Sequence, residues 1–235
     1  MQLDGYHGRV ALVTGGAGGI GAHIAKTMRA LGADVAVTDI RQPNLPGCLN
    51  LTMDVTSETA VQHGVGEVVS RLGVPSVLVL NAGVFRIEPF EQTTRESWDR
   101  TVSVNLTGSF LVAREVLPRM RATGYGRVLT LGSSAGITGG SKSMAAYAAS
   151  KAGVMALAKS IASEYAAHGI TSNALAPSLI ETDMVSGISD LVTSVPVGRL
   201  GQPSDVADLV AFLCSAHAGF VTGAVIDING GFLIR

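Results

Sequence analysis

The stretch "RVALVTGGAGGIGAHIAKTMRALG", residues 9–32, contains a strand, a turn and a helix with nothing between them. "RVALVT" is a continuous apolar, β-branched run, the pattern of a strand buried on both faces. After the glycines, Ile20, Ile24, Met28 and Leu31 recur on one helical stripe, and Gly32 supplies a stop. A strand that turns through glycine directly into a helix is the opening unit of a parallel α/β sheet. Within "TGGAGGIG", residues 14–21, two spacings overlap. Gly16, Gly18 and Gly21 fit GxGxxG, while Gly15, Gly19 and Gly21 fit GxxxGxG after a threonine. Glycines at this place let the backbone approach a pyrophosphate, and the helix start offers it free N–H groups and the positive end of a dipole. A tight turn alone needs no ligand, so it is the position between strand and helix that makes this a nucleotide signal.

Asp39 reinforces that reading. It ends the next apolar run, "DVAVTDI", about 20 residues beyond the turn, where a carboxylate can accept hydrogen bonds from ribose hydroxyls and repel a 2′-phosphate. No basic residue lies inside the glycine turn, and Arg41 follows the acid rather than replacing it, so NAD(H) is expected over NADP(H). Further strands are expected at "SVLVLNAG", "GRVLTLGS", "ITSNALAP" and "GAVIDINGG". Helical patterns separate them: "SETAVQHGVGEVVSRLG", the long stretch 94–124, an alanine-rich run around Tyr147, and "PSDVADLVAFLCSAHAG". This alternation predicts an α/β, doubly wound parallel sheet with helices on both faces. No linker or repeat interrupts it, so one domain is expected over residues 1–235.

The bulk composition excludes several roles. Of 235 residues, 47% are apolar and 15% charged, with a net charge of −1 and no basic tract, which argues against nucleic acid or an anionic membrane as partner. No apolar run approaches the ~20 residues of a membrane span. The first residues lack a basic, signal-like start, so a cytoplasmic location is expected. Cys48 and Cys214 form no CxxC, and the five histidines show no HxxxH or HExxH spacing. Neither a disulfide nor a metal is expected.

In "AAYAASKAG", residues 145–153, Tyr147 and Lys151 are spaced i,i+4 in a strongly helical context and share one face. A half-buried tyrosine beside a surface lysine is one reading of this pair. The other is an acid/base pair, in which the ammonium lowers the phenol's pKa.

Taken in order, "TGGAGGIG", "NAG" (81–83), Asn105, "GSSAG" (132–136), "YAASK" (147–151), "ITSNALAPSLIETDM", "PVGRLGQPSDVADLVAFL" and "VTGAVIDINGG" resemble the short-chain dehydrogenase/reductase family over nearly the whole chain. The likeness is to single-domain members related to 3-oxoacyl-thioester reductases and secondary-alcohol dehydrogenases, and it implies a Rossmann-like sheet. Tyr147 would then exchange a proton with the substrate oxygen, and Lys151 would lower its pKa and hold the nicotinamide ribose. A serine of "GSSAG" would bind the substrate oxygen: Gly132 and Gly136 favour Ser133, while counting back from Tyr147 gives Ser134. Asn105 matches a family asparagine at a helix kink. For the cofactor, the resemblance implies Gly15, Gly18, Gly19, Ile20 and Gly21 at the pyrophosphate, with Asp39 and Ile40 at the ribose. It further implies Asp54 and Val55 at the adenine, and Asn81, Ala82 and Gly83 along the adenosine ribose. Pro177, Ile180 and Thr182 would lie at the nicotinamide end. The family carries Pro-Gly where this chain has Pro177-Ser178, and serine lacks glycine's backbone freedom.

The expected function is NAD(H)-dependent interconversion of a secondary alcohol and a ketone, with Ser133 and Tyr147 touching a free small-molecule substrate. The alternative is a 3-oxoacyl-carrier-protein reductase. A non-catalytic nucleotide sensor ranks below both, because Tyr147 and Lys151 are kept. Acidic carrier proteins need a basic docking surface, for which only Arg121 and Arg127 offer themselves. A short substrate lid is expected near 184–195, and a homo-oligomer, in the resembling family a tetramer.

Overall fold

The computed structural model describes residues 6–182 and 189–235. Seven parallel strands form one sheet in the order β3-β2-β1-β4-β5-β6-β7. They are β1 (Val10–Thr14), β2 (Asp34–Asp39), β3 (Leu49–Thr52), β4 (Val77–Leu80), β5 (Gly126–Leu131), β6 (Ile170–Pro177) and β7 (Val225–Ile228). The helices are α1 (Gly19–Ala30), α2 (Glu58–Leu72), α3 (Arg95–Val102), α4 (Gly108–Thr123), α5 (Ala135–Thr138), α6 (Ala145–Tyr165) and α7 (Pro203–Cys214). The fold is the doubly wound α/β sheet that the alternation predicts. β1, β4, β5 and β6 are buried along their whole length, which is why β1 and β4 read as near-continuous apolar runs, while β6 buries Thr171, Ser172 and Asn173 among its apolar residues.

Both faces are covered. On one, Ile24 and Met28 of α1 pack with Val206, Val210 and Leu213 of α7 against β1 and β2. On the other, Val61, Val65 and Val68 of α2 join Val112, Val116 and Met120 of α4 against Leu12, Leu78 and Val128. Each fully buried aliphatic side chain contributes about 1.5–3 kcal/mol relative to exposure. Ile20 and Leu31, at the ends of the predicted α1 stripe, are only partly buried because they flank this core.

Two differences from the sequence reading have clear causes. β3 was not anticipated: it is four residues long, sits at the sheet edge and follows a proline-containing stretch that reads as loop. Asn50 fixes its start by donating to Leu45 O and Cys48 O, each at 2.9 Å. The long helical stretch 94–124 is interrupted by a π turn, Ser103–Thr107, between α3 and α4. The expected lid at 184–195 lies in part outside the described residues, and its described part includes a short 3₁₀ segment, Ser189–Ser194. Among the described residues, no helix is long and apolar enough to cross a membrane.

Strand order reverses between β1 and β4, and a crevice opens beyond the carboxyl ends of the two strands. The glycine turn forms one lip. Gly15 has φ +67, and a Cβ there would lie 2.6 Å from Ala82 Cα. At Gly21 a Cβ would collide with the Gly15 carbonyl oxygen and the Asn81 amide. Gly21→Ala is therefore expected to lower stability by about 1–3 kcal/mol, the usual cost of overpacking, and to lower the melting temperature by several degrees. Differential scanning fluorimetry reads this; an unchanged melting temperature would show that the lip has slack.

Candidate active site

The crevice holds a cleft of about 470 Å³. Its walls come from the glycine turn, the ends of β2, β4, β5 and β6, and the first turn of α6. Every cofactor residue implied by the sequence lines it except Gly21, which packs behind Gly15. Gly18 faces open space, where a Cβ would meet nothing within 4 Å, while a Cβ on Gly19 would come 3.7 Å from the Thr182 side chain. α1 begins there with no side-chain cap, so its first N–H groups are left for a ligand. Asp39 aims one carboxylate oxygen at Ala17 N (3.1 Å) and the other at Arg41 N (3.1 Å). The acid thus shapes the glycine turn while also lining the cleft. Asp54 closes a turn by accepting from Thr56 N and Oγ1 (2.9 and 2.7 Å) beside Val55.

Asn81 is fully engaged. Its amide donates to Thr14 O (3.0 Å) and Gly15 O (2.8 Å), while Thr14 Oγ1 receives Asn81 N and Ala82 N. The end of β4 is thereby stitched to the glycine turn.

Tyr147, Lys151 and Ser133 converge on the opposite side. α6 presents Tyr147 and Lys151 to the cleft through their i,i+4 spacing. Lys151 is buried and donates to Leu131 O at 2.6 Å; burial brings its pKa down to about 8. Its other two N–H groups have no protein acceptor among the described residues. The side chain is thus a cation with spare donors facing the cleft, which suits ribose hydroxyls. Tyr147 is half-buried, and desolvation raises its pKa, with the nearby Ser133 hydroxyl opposing the rise. The sequence reading expected the ammonium to lower the phenol's pKa. Here Lys151 Nζ sits over the ring, 5.8 Å from its centroid, and is tied to Leu131, so burial outweighs it. A phenol held protonated at neutral pH is suited to donate. Ser133 lines the cleft close to Tyr147; Ser134 does not line it, and its N–H donates to Pro177 O at 3.0 Å.

Asn105 lies behind the wall, in the π turn. Its Oδ1 accepts from Val84 N (2.8 Å), and its Nδ2 donates to Val84 O (3.1 Å) and Ser150 Oγ (2.9 Å). Ser150 in turn donates to Tyr147 O at 2.8 Å. The asparagine therefore couples the 83–85 segment to the first turn of α6. Sequence reasoning missed Phe85, Arg100, Met144 and Leu179, which also line the cleft. Only Phe85, two residues after "NAG", and Met144, one turn before Tyr147, carried a positional signal. Arg127, expected as a possible surface charge, is buried, its guanidinium donating to Gly126 O (2.9 Å), Ser215 O (3.3 Å) and Gly169 O (3.4 Å).

A family profile described as enoyl-(acyl carrier protein) reductase matches residues 15–233. An acetoacetyl-CoA reductase of Rhizobium meliloti (strain 1021) is 40% identical, over 95% of this chain and 98% of its own. A 3-oxoacyl-[acyl-carrier-protein] reductase, FabG, of Escherichia coli (strain K12) is 36% identical over 96% and 98%. Among solved structures, levodione reductase superposes with a TM-score of 0.91 at 32% identity, covering 97% of this chain and 98% of that one.

Asn105→Ala should leave the Val84 N–H and C=O unpaired, at a cost of about 1–3 kcal/mol for each group kept from water. Hydrogen exchange read by mass spectrometry should show the peptide across 81–88 opening faster than in the wild type. Unchanged protection there would mean that another contact holds the segment.

Proposed function

The chain belongs to the short-chain dehydrogenase/reductase family, and we propose that within it the protein reduces a short 3-oxoacyl thioester to the 3-hydroxyacyl thioester with NADH. It is an oxidoreductase acting on a carbonyl or alcohol carbon, and its cofactor is a nicotinamide dinucleotide. The sequence reading ranked a free small ketone first. The relatives reverse that order, since those named act on acetoacetyl-CoA and on 3-oxoacyl groups of acyl-carrier protein. Between these two carriers, the burial of Arg127 favours coenzyme A, because it removes one of the two arginines that could form a basic docking surface.

The observation that carries the reading is the meeting of Ser133, Tyr147 and Lys151 in one cleft, with the Ser133 hydroxyl near enough to Tyr147 to oppose the rise in its pKa. When bound, the nicotinamide supplies the hydride that reaches the carbonyl carbon. Ser133 Oγ and the Tyr147 hydroxyl hold the carbonyl oxygen between them, and Tyr147 gives up its proton as that oxygen gains charge. Lys151 Nζ holds the cofactor ribose with the donors that Leu131 does not use and stabilises the phenolate left behind. Asn105 keeps the first turn of α6 and the 83–85 wall in register. Glycines 15, 18 and 19 with the start of α1 receive the pyrophosphate, and Asp39 takes the adenosine ribose. A homo-oligomer is part of this proposal: Phe220, Phe232 and Ile234 expose large apolar side chains near the β7 edge.

A small cyclic ketone is the second reading, favoured by the resemblance to levodione reductase. Initial rates with acetoacetyl-CoA, acetoacetyl carrier protein and cyclic diketones separate the three. The highest kcat/KM is expected on acetoacetyl-CoA, and a clear preference for either other substrate would displace the thioester reading in its favour. In that assay Tyr147→Phe should lower kcat by at least ~100-fold with NADH affinity nearly intact. Near-normal turnover in this variant would remove the tyrosine from the mechanism.

Cofactor choice supplies a separate test. The Asp39 carboxylate at the end of β2 would face a 2′-phosphate across a short distance in a poorly hydrated crevice. The wild type should therefore be more efficient with NADH than with NADPH, and Asp39→Ala combined with Ile40→Arg should shrink or reverse the ratio. A wild type more efficient on NADPH would refute the assignment.

A further inference from the structure

Phe85 and Tyr147 meet edge to face, with ring centroids 4.9 Å apart and planes at 76°. Phe85 is half-buried and lines the same cleft as Ser133 and Tyr147. Two restraints fix its position. The residue before it, Val84, has both its N–H and its C=O held by the Asn105 amide. Three residues on, Glu88 N donates to Ser143 O at 2.8 Å, tying the loop after β4 to the loop that leads into α6. Ser143 adopts φ +69 there, uncommon for serine, so the second loop is itself shaped around this contact. Glu88 is further held by a hydrogen bond from Ser97 of α3. Phe85 is thus mounted on a strap fastened at both ends.

Tyr147 has fewer restraints of its own. Its hydroxyl has Ser133 nearby, and among the described residues its ring meets Phe85 edge to face and has Lys151 Nζ 5.8 Å from its centroid. A phenol that must give its proton to an oxygen held by Ser133 loses rate steeply when displaced, by up to about 100-fold for a shift on the order of 1 Å.

We propose that Phe85 is a positioning and specificity-determining residue for carbonyl reduction: it holds the Tyr147 ring in its reactive orientation and forms the wall against which the acyl substituent of the substrate packs. The inference rests on the reading of Tyr147 as the proton donor. Phe85, Val84, Val104 and Met144 supply apolar lining to the cleft that Tyr147 enters, and Phe85 is the one of them in ring contact with it. Such a wall selects for an alkyl substituent and, being fixed, limits its length.

The test compares Phe85→Ala, Phe85→Leu and Phe85→Tyr at saturating NADH, with acetoacetyl-CoA and 3-oxooctanoyl-CoA as substrates. On acetoacetyl-CoA, Phe85→Ala should lower kcat by about tenfold, the upper end of what one aromatic contact supports, and Phe85→Tyr should stay within about twofold of wild type. Phe85→Leu keeps apolar bulk but not the ring. It should lose kcat as the alanine variant does while keeping the wild-type substrate ratio. In Phe85→Ala the kcat/KM ratio of the octanoyl to the acetoacetyl substrate should rise by about fivefold or more. NADH affinity, read by fluorescence titration, and the melting temperature check that the site is otherwise intact; should the alanine variant fail to fold, the leucine and tyrosine variants carry the comparison. Turnover abolished by Tyr147→Phe but unchanged, in rate and in substrate ratio, by Phe85→Ala or by Phe85→Leu relative to Phe85→Tyr would overturn this proposal alone. Turnover that survives Tyr147→Phe would overturn the reaction reading, and this inference with it.

Discussion

The amide of Asn81, donating to the carbonyl oxygens of Thr14 and Gly15, is the contact on which the rest of the cleft depends. β1 and β4 are neighbours in the sheet, and their chains leave it in different directions; without a tie the crevice between them would have no fixed width. The amide uses both its hydrogens on the glycine turn, and Thr14 Oγ1 returns the bond by accepting from Asn81 N and Ala82 N. This explains why the turn accepts no Cβ at Gly15 or Gly21: the β4 end has been drawn up against it. Asp39 finishes the arrangement from the other side by accepting from Ala17 N. The residues that would grip a dinucleotide therefore also build the shape that receives it.

A similar double duty holds at Tyr147 and Lys151, with opposite electrostatic consequences. Burial raises the pKa of Tyr147 and lowers that of Lys151, since desolvation penalises whichever form is charged. The two shifts move the groups apart in proton affinity: in water the phenol and the ammonium lie close together, and here the phenol rises while the ammonium falls to about 8. The phenol therefore keeps its proton at neutral pH, while the ammonium beside it holds its own less tightly. Leu131 O is the fixed acceptor that keeps Lys151 in place. Asn105 takes part only through others, by way of Ser150 to the Tyr147 carbonyl and by way of Val84 to Phe85.

How far the sequence reveals this site depends on the kind of constraint. Glycines at a strand–helix junction, an acid at the end of β2 and a Tyr/Lys pair at i,i+4 are local patterns, and the structure brings those residues to one cleft. Ser133 against Ser134 is a question of one residue's rotation about a strand end. Sequence spacing points both ways; in the structure Ser133 lines the cleft near Tyr147 and Ser134 does not line it. β3 was hidden because a short edge strand needs little apolar patterning. Phe85 and Arg127 were hidden for a different reason. The first gains its role only when the loop after β4 meets α6, and the second is drawn inward by carbonyl oxygens of Gly126, Gly169 and Ser215, contacts made between segments far apart in the chain.

The Pro177-Ser178 step shows how such long-range contacts can move a local requirement. Serine in place of glycine suggested a backbone problem at residue 178, yet Ser178 stays outside the left-handed region and Leu179 enters it, with φ +51. A non-glycine residue there costs on the order of 1–3 kcal/mol and persists only where its surroundings over-determine it. They do so here. Ser178 N donates to Ile228 O at the end of β7, Gly201 N donates to Leu179 O, and Glu181 N donates to Gly201 O. Three backbone bonds from two neighbouring segments thus hold a four-residue turn and compel Leu179 to face the cleft. The same turn delivers Thr182 back toward the glycine lip, where its methyl group would stand 3.7 Å from a Cβ on Gly19. The strain at Leu179 is therefore tied to the closing of the cleft: the chain leaving β6 can reach across to the start of α1 only by reversing within this turn.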